Sequence, residues 1–132
     1  MDKHISDDEA MEAIRKVGLE ELINSLPNGI YTRLDEFPLS DGNNQKLLIA
    51  RAIAKKNIFI FLDEATNALD NISQNEIFAT IKEIPATKII VAQRLATVQH
   101  CDKVIVIEDG RITMQGTYDE IVHKHALFNT KA

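Results

Sequence analysis

The run Ile58-Phe59-Ile60-Phe61-Leu62, followed at once by Asp63 and Glu64, constrains this chain more than any other stretch. Five consecutive apolar residues have the length of a strand. Their unbroken apolarity predicts a strand covered on both faces, as in a parallel sheet flanked by helices. Phe59, Phe61 and, further on, Phe78 are accordingly expected in the core. A parallel sheet needs a crossover, and the residues that follow supply one. Asp70–Glu83 has helical spacing with Ile72, Ile77 and Ile81 expected inward, Pro85 stops it, and Lys88–Ala92 ("KIIVA") reads as a second buried strand.

The flanks are equally patterned. Ser6 and Glu9 have capping-box spacing ahead of a helix over residues 7–17, with Ala10, Ile14 and Val17 as its apolar stripe and Gly18 at its end. A short helix is expected over 19–25, closed by Pro27. Residues 29–38 read as loop with a short extended piece. Ser40 is placed to cap a helix running to Lys55, in which Leu47, Ala50, Ile53 and Ala54 recur at helical spacing. Beyond the second strand, "RLATVQHC" reads as a short helix or turn. "KVIVIEDGRITMQG" reads as a hairpin turning at Asp109-Gly110, and Thr117 with Glu120 caps a last helix that the tail from His123 could extend.

Composition excludes several classes. The 132 residues are 45% hydrophobic and 27% charged, which suits one domain of a globular protein rather than a disordered chain. The net charge of -5 speaks against a broad nucleic-acid footprint, so no nucleic-acid partner is expected. The single cysteine, Cys101, forms no internal disulfide and reads as a small buried hydrophobe. His4, His100, His123 and His125 have no metal-ligand spacing. No apolar run approaches the roughly 20 residues that span a bilayer.

Ligands of open α/β sheets sit beyond the carboxyl ends of the strands, where Asp63 and Glu64 fall. Two carboxylates at that point suit phosphate chemistry, one holding Mg²⁺ and the next orienting a water. They equally suit a plain polar turn. The wider sequence bears on the choice. "IFIFLDEAT" resembles the Walker B strand and following glutamate of the nucleotide-binding domain of ATP-binding cassette (ABC) transporters. "NALD" resembles that family's D-loop, "LSDGNNQK" its LSGGQ motif, "IIVAQRLATV" its switch strand and "DKVIVIEDGRITMQGTYDEI" its terminal hairpin and helix. Residues 6–128 are similar, in the right order, to the C-terminal half of such a domain, most like exporters of the peptide and bacteriocin type.

The resemblance implies a partial P-loop NTPase fold of α/β class, with parallel strands, a terminal β-hairpin and an N-terminal helical subdomain. Residues 1–57 would form the helical subdomain with the LSGGQ-like motif, and residues 58–132 the C-terminal part of the ATPase core. It implies Asp63 as the Mg²⁺-associated carboxylate, Glu64 as general base, and Asp70 as the aspartate coupling two ATP sites. Ser40, Asp41, Gly42 and Asn43 would face the γ-phosphate of ATP held by an opposite subunit, and Gln93 would stand at the switch position. The helix start at Ser40 independently suits an anion, since free N–H groups and the helix dipole point there.

Three departures from the family pattern matter. Asp41 replaces a glycine and brings a carboxylate toward phosphate, while Asn43 is one methylene shorter than the usual glutamine. Gln93 replaces the switch histidine; it keeps hydrogen bonding and gives up the imidazolium charge. Nothing in the chain matches GxxxxGK[ST], so the Walker A portion and its phosphate cradle are absent. The expected function is therefore part of an ABC transporter ATPase subunit at the cytoplasmic face of the cell membrane. It would use ATP and Mg²⁺ with the missing N-terminal half, a transmembrane domain and a second nucleotide-binding domain as partners, and would be inactive alone. The lost neighbour strand should leave residues 103–107 as an apolar edge. The alternatives are a non-catalytic remnant acting as a binding partner, and a fragment of a non-transport ABC ATPase.

Overall fold

In the computed structural model, residues 4–93 and 95–124 are described, without the side chains of Leu95 and Ala96. The elements run α1 (Asp7–Lys16), α2 (Glu20–Ser25), a 3-10 turn (Gly29–Tyr31), α3 (Asp41–Ala54), β1 (Phe59–Asp63), α4 (Asn71–Glu83), β2 (Thr87–Val91), α5 (Leu95–Val98), β3 (Val104–Glu108), β4 (Arg111–Gly116) and α6 (Tyr118–Val122). They form two compact units, Met1–Val91 and Ala92–Ala132.

Local chemistry accounts for most element boundaries. At α1, the Ser6 hydroxyl accepts from the Glu9 N–H while the Glu9 carboxylate accepts from the Ser6 N–H, a complete capping box. The helix ends at Val17, and Gly18 follows in the left-handed region at φ 70°, the usual glycine exit. Ser40 caps α3, Asp70 caps α4, and Thr117 with Glu120 makes a second capping box at α6. No strand forms over residues 29–38. The Gly29–Tyr31 turn and its cap bond, Thr32 N–H to Gly29 O, take up the start of that stretch.

In the first unit β1 and β2 pair in parallel with α4 as the crossover, in the register Phe59 opposite Thr87, Phe61 opposite Ile89 and Asp63 opposite Val91. One face of this pair carries the core. Ile60 and Leu62 join Ile77, Phe78 and Ile81 of α4, Ile49, Ala50 and Ile53 of α3, and Ile14, Val17, Leu19 and Ile23 of the first two helices. The other face is bare, which corrects the expectation of a strand covered on both sides. Phe59 and Phe61 are 62% and 64% exposed, and Ile89 and Val91 of β2 are also largely exposed. Successive strand side chains point to opposite faces, so cover on one side buries only alternate residues. Phe78 is buried as expected. Ile72 faces solvent, because the first turn of α4 lies beyond the reach of the core that takes Ile77 and Ile81.

The second unit holds the antiparallel β3–β4 hairpin, with an irregularity of register at Val106/Ile107. Asp109 and Gly110 both have positive φ, 49° and 73°, as a tight two-residue turn of the primed type requires. Ile105, Ile107 and Ile112 are exposed, and among the described residues β3 pairs only with β4. Helix α6 packs on β4 and stops at Val122 with His123 as its C-cap; residues 125–132 of the tail lie outside the described residues.

Helix α1 is tied to the end of α3 by Lys56, itself at φ 48°, whose Nζ lies 2.7 Å from Glu9 Oε1. That bond, with the Ser6 N–H, holds the Glu9 carboxyl down at about 2, against an ordinary value of 4.5. A carboxyl lowered on folding stabilises the fold above its unfolded value, and the contribution is lost as pH falls through the folded value. The denaturation midpoint should therefore drop between pH 4.5 and about 2, less steeply in Glu9→Gln, with high salt narrowing the difference between the two chains. In the core, Ile77 is 2% exposed, and Ile77→Ala should cost about 2–5 kcal/mol in urea unfolding.

Candidate functional site

The site is built where the start of α3 meets the turn that follows β1. Ser40 lies in extended conformation, and its Oγ accepts from the Asn43 N–H at 3.3 Å. Its own O–H remains available as a donor. Asn44 braces the entry from behind, its Nδ2 donating to the Leu39 carbonyl at 3.2 Å. Asp41 occupies the first turn, where a carboxylate interacts favourably with the positive end of the helix dipole. This gives the departure at Asp41 a local physical cause.

Asp63 is the last residue of β1 and is exposed. Glu64 extends the parallel ladder by one bond, its N–H donating to the Val91 carbonyl at 3.0 Å. Its backbone then turns at φ 47°, a conformation that costs a non-glycine residue about 1–2 kcal/mol. The turn that follows is closed by Asn67 N–H to Glu64 O and by Leu69 N–H to Thr66 O, each at 3.1 Å. Within it the Asn67 Nδ2 donates to Glu64 Oε2 at 2.8 Å. Thr66 is buried and accepts from the Gln74 side-chain amide of α4 at 3.1 Å, anchoring the turn from below.

Asp70 ends the turn as the cap of α4. Its Oδ1 accepts from the Ile72 and Ser73 N–H groups, each at 3.0 Å, and its Oδ2 from the Ser73 hydroxyl. These bonds, those of Ser73 foremost, hold the Asp70 carboxyl below the usual carboxylate range.

The first turn of α3 rests against this 64–70 turn. A Cβ placed on Gly42 would sit 3.4 Å from the Ala68 carbonyl oxygen and 3.5 Å from Leu69 Cδ2. Gln45 completes the contact, its Oε1 accepting from the Ala68 N–H at 2.9 Å. The structure thus brings Gly42 and Gln45 of α3 against Ala68 and Leu69, within the turn that carries Glu64 and Asp70. Gln93 is exposed and belongs to the second unit.

Gln45 and Asn67 did not stand out among the residues singled out from sequence. The available signal for Gln45 was its place three residues after Gly42, on the same helix face. For Asn67 it was a side-chain amide three residues beyond Glu64, a spacing that suits a tight turn.

Among the described residues no group of three or more His, Cys, Asp or Glu side chains is placed to hold a metal ion. Asp63 and Glu64 offer at most two carboxylates, a donor set that suits Mg²⁺ only when substrate phosphates complete its octahedron. Cys101 is half-buried with its Sγ 3.8 Å from the Thr97 carbonyl, and burial pushes its thiol up, away from reactivity.

Comparison with known proteins bears on the family and the fold. The family model described as ABC transporter matches residues 2–67, half of the chain. The chain belongs to the ABC transporter family. Among its relatives, the chloroplastic ABC transporter B family member 26 of Arabidopsis thaliana is 35% identical over 96% of this chain and 19% of its own length. The ATP-dependent lipid A-core flippase of Bordetella avium is 37% identical over 90% of this chain and 21% of its own. A solved bacterial Atm1-family ABC exporter with ATP bound superimposes with a TM-score of 0.84 at 28% identity, covering 96% of this chain and 23% of that one. The chain spans about a fifth of the length of these curated relatives. The α/β architecture is that of part of an ABC exporter's P-loop ATPase, and the family uses ATP and Mg²⁺. No described helix is long and apolar enough to cross a membrane.

The α3 cap gives a measurable expectation. Ser40→Ala removes the acceptor for the Asn43 N–H and should lower stability by about 1 kcal/mol, read from the urea midpoint. Ser40→Asp, which restores an acceptor, should recover most of it.

Proposed function

We propose that this chain is the C-terminal part of the ATPase unit of an exporter-type ABC transporter, working at the cytoplasmic face of the membrane. The single observation that carries the reading is the seating of the Ser40-capped helix start against the Glu64–Asp70 turn, within a fold similar to an ABC exporter. On this reading residues 1–57 act as the helical subdomain and residues 58–132 as the core part. The narrower assignment to peptide or bacteriocin export rests on motif resemblance alone. The partners are the part of the ATPase domain that carries the phosphate loop, a transmembrane domain, and a second nucleotide-binding domain.

Asp63, exposed at the strand end, is the residue that would hold Mg²⁺. When bound, the ion neutralises charge on the ATP phosphates. Glu64 accepts a hydrogen bond from, and orients, the attacking water. Ser40 donates its free O–H, and the N–H groups at the start of α3 their dipole, to a γ-phosphate presented by the opposite unit. Asp41 places a negative charge beside that phosphate and weakens closure there. Asp70, fixed as the α4 cap, holds the turn that faces the partner. Gln93 donates a neutral hydrogen bond where an imidazolium would carry charge. Without GxxxxGK[ST] in its sequence, this chain depends on another segment for phosphate binding and hydrolyses no ATP alone.

The test is ATP hydrolysis by the assembled transporter carrying this chain. Glu64→Gln should lower kcat by at least about 100-fold while ATP binding is kept. Full activity in Glu64→Gln would remove Glu64 from the chemistry. An assembly with Glu64 intact that binds no ATP would favour the second reading, a non-catalytic binding partner, which the absent phosphate loop supports.

A further inference from the structure

Besides the Gln74–Thr66 bond, the turn from Glu64 to Asp70 is held by side chains at two further points that serve no capping role. Asn67 Nδ2 donates to the Glu64 carboxylate at 2.8 Å, and Gln45 Oε1 receives the Ala68 N–H at 2.9 Å from the adjacent helix. Residues 67 and 68 are neighbours. One backbone step therefore links the Glu64 carboxylate to α3, whose first turn carries Ser40 and Gly42.

We propose that Gln45 and Asn67 are positioning residues for the Glu64 carboxylate, Gln45 docking the turn on α3 and Asn67 docking the carboxylate on the turn. The inference rests on the reading of Glu64 as the water-orienting residue and deepens it.

Three physical points support it. A glutamate side chain turns about three bonds, so a carboxylate that must orient one water needs a fixed partner, and an amide donor to a carboxylate is a strong one. Glu64 occupies a left-handed backbone conformation, which persists only where the surroundings over-determine it. The bonds to Val91, Asn67 and Gln45 are such surroundings. Finally, Gln45 is partly buried and bonds across 23 positions of sequence, so its contact sets the placement of one element on another. The phosphate-facing start of α3 and the Glu64 carboxylate then move as one piece, and a displacement of either reaches the other.

The experiment compares Glu64→Gln, Asn67→Ala, Gln45→Leu and Gln45→Glu in the assembled transporter, reading kcat and KM for ATP. Asn67→Ala and Gln45→Leu should lower kcat by about 10- to 100-fold, the scale of a small misplacement, with KM within about twofold. Gln45→Glu keeps an acceptor oxygen and should return most of the rate. If Glu64→Gln abolishes hydrolysis while Asn67→Ala and Gln45→Leu run at the parent kcat, the positioning inference fails and the reading of Glu64 stands. If Glu64→Gln is fully active, both fall. Amide exchange of the unsubstituted protein supplies a check that needs no variant. The Ala68 N–H should exchange at least about tenfold more slowly than an unbonded loop amide, and exchange at the loop rate overturns the proposal.

Discussion

The parallel pairing of β1 with β2 is the constraint on which the first unit depends. Parallel strands cannot be joined by a tight turn, so α4 must cross between them, and its apolar stripe must land on the sheet. Ile77, Phe78 and Ile81 do so, meeting Ile60 and Leu62 from the strand and the inner face of α3. Once the crossover is in place, the chain has to leave β1 abruptly and start α4 nearby. The left-handed Glu64 and the Asp70 cap are the two devices that accomplish this. Two of the candidate site residues, Glu64 and Asp70, are therefore also residues that shape the crossover.

That overlap shapes how the carboxylates divide their work. Asp70 spends both oxygens on the start of α4, which leaves it a rigid marker of the turn's position. Asp63 is exposed at the strand end, in register opposite Val91 of β2. Glu64 lies between them, its backbone committed to the Val91 carbonyl and one carboxylate oxygen accepting from Asn67. The three acidic residues at the end of β1 and in the turn beyond it thus occupy three different environments.

The bare face of the β1–β2 pair and the exposed isoleucines of the β3–β4 hairpin belong to the same picture. Phe59, Phe61, Ile89 and Val91 are strand residues of a kind that seeks cover, and this chain spans about a fifth of its curated relatives. The unbroken apolar run at 58–62 is written for a two-sided environment, of which the described residues supply one side. This accords with the proposal that another segment completes the domain.

What the sequence determined by itself was everything carried by interactions three or four residues apart. The capping boxes at Ser6–Glu9 and Thr117–Glu120, the cap at Ser40, the glycine exit at Gly18 and the Asp109-Gly110 turn all appear where their residue types place them. The order of the strands and the acidic end of β1 were legible for the same reason, as was the family pattern. Only the tertiary structure decided which face of β1 is covered, because a continuous apolar run carries no period to distinguish its two sides. It also decided that Ile72 stays outside, since the reach of the core along α4 depends on the elements beneath it. Above all it brought Gln45 to Ala68 and so joined the two halves of the candidate site. That bond spans 23 positions, and no local spacing encodes a contact that exists only once a helix has docked against a turn.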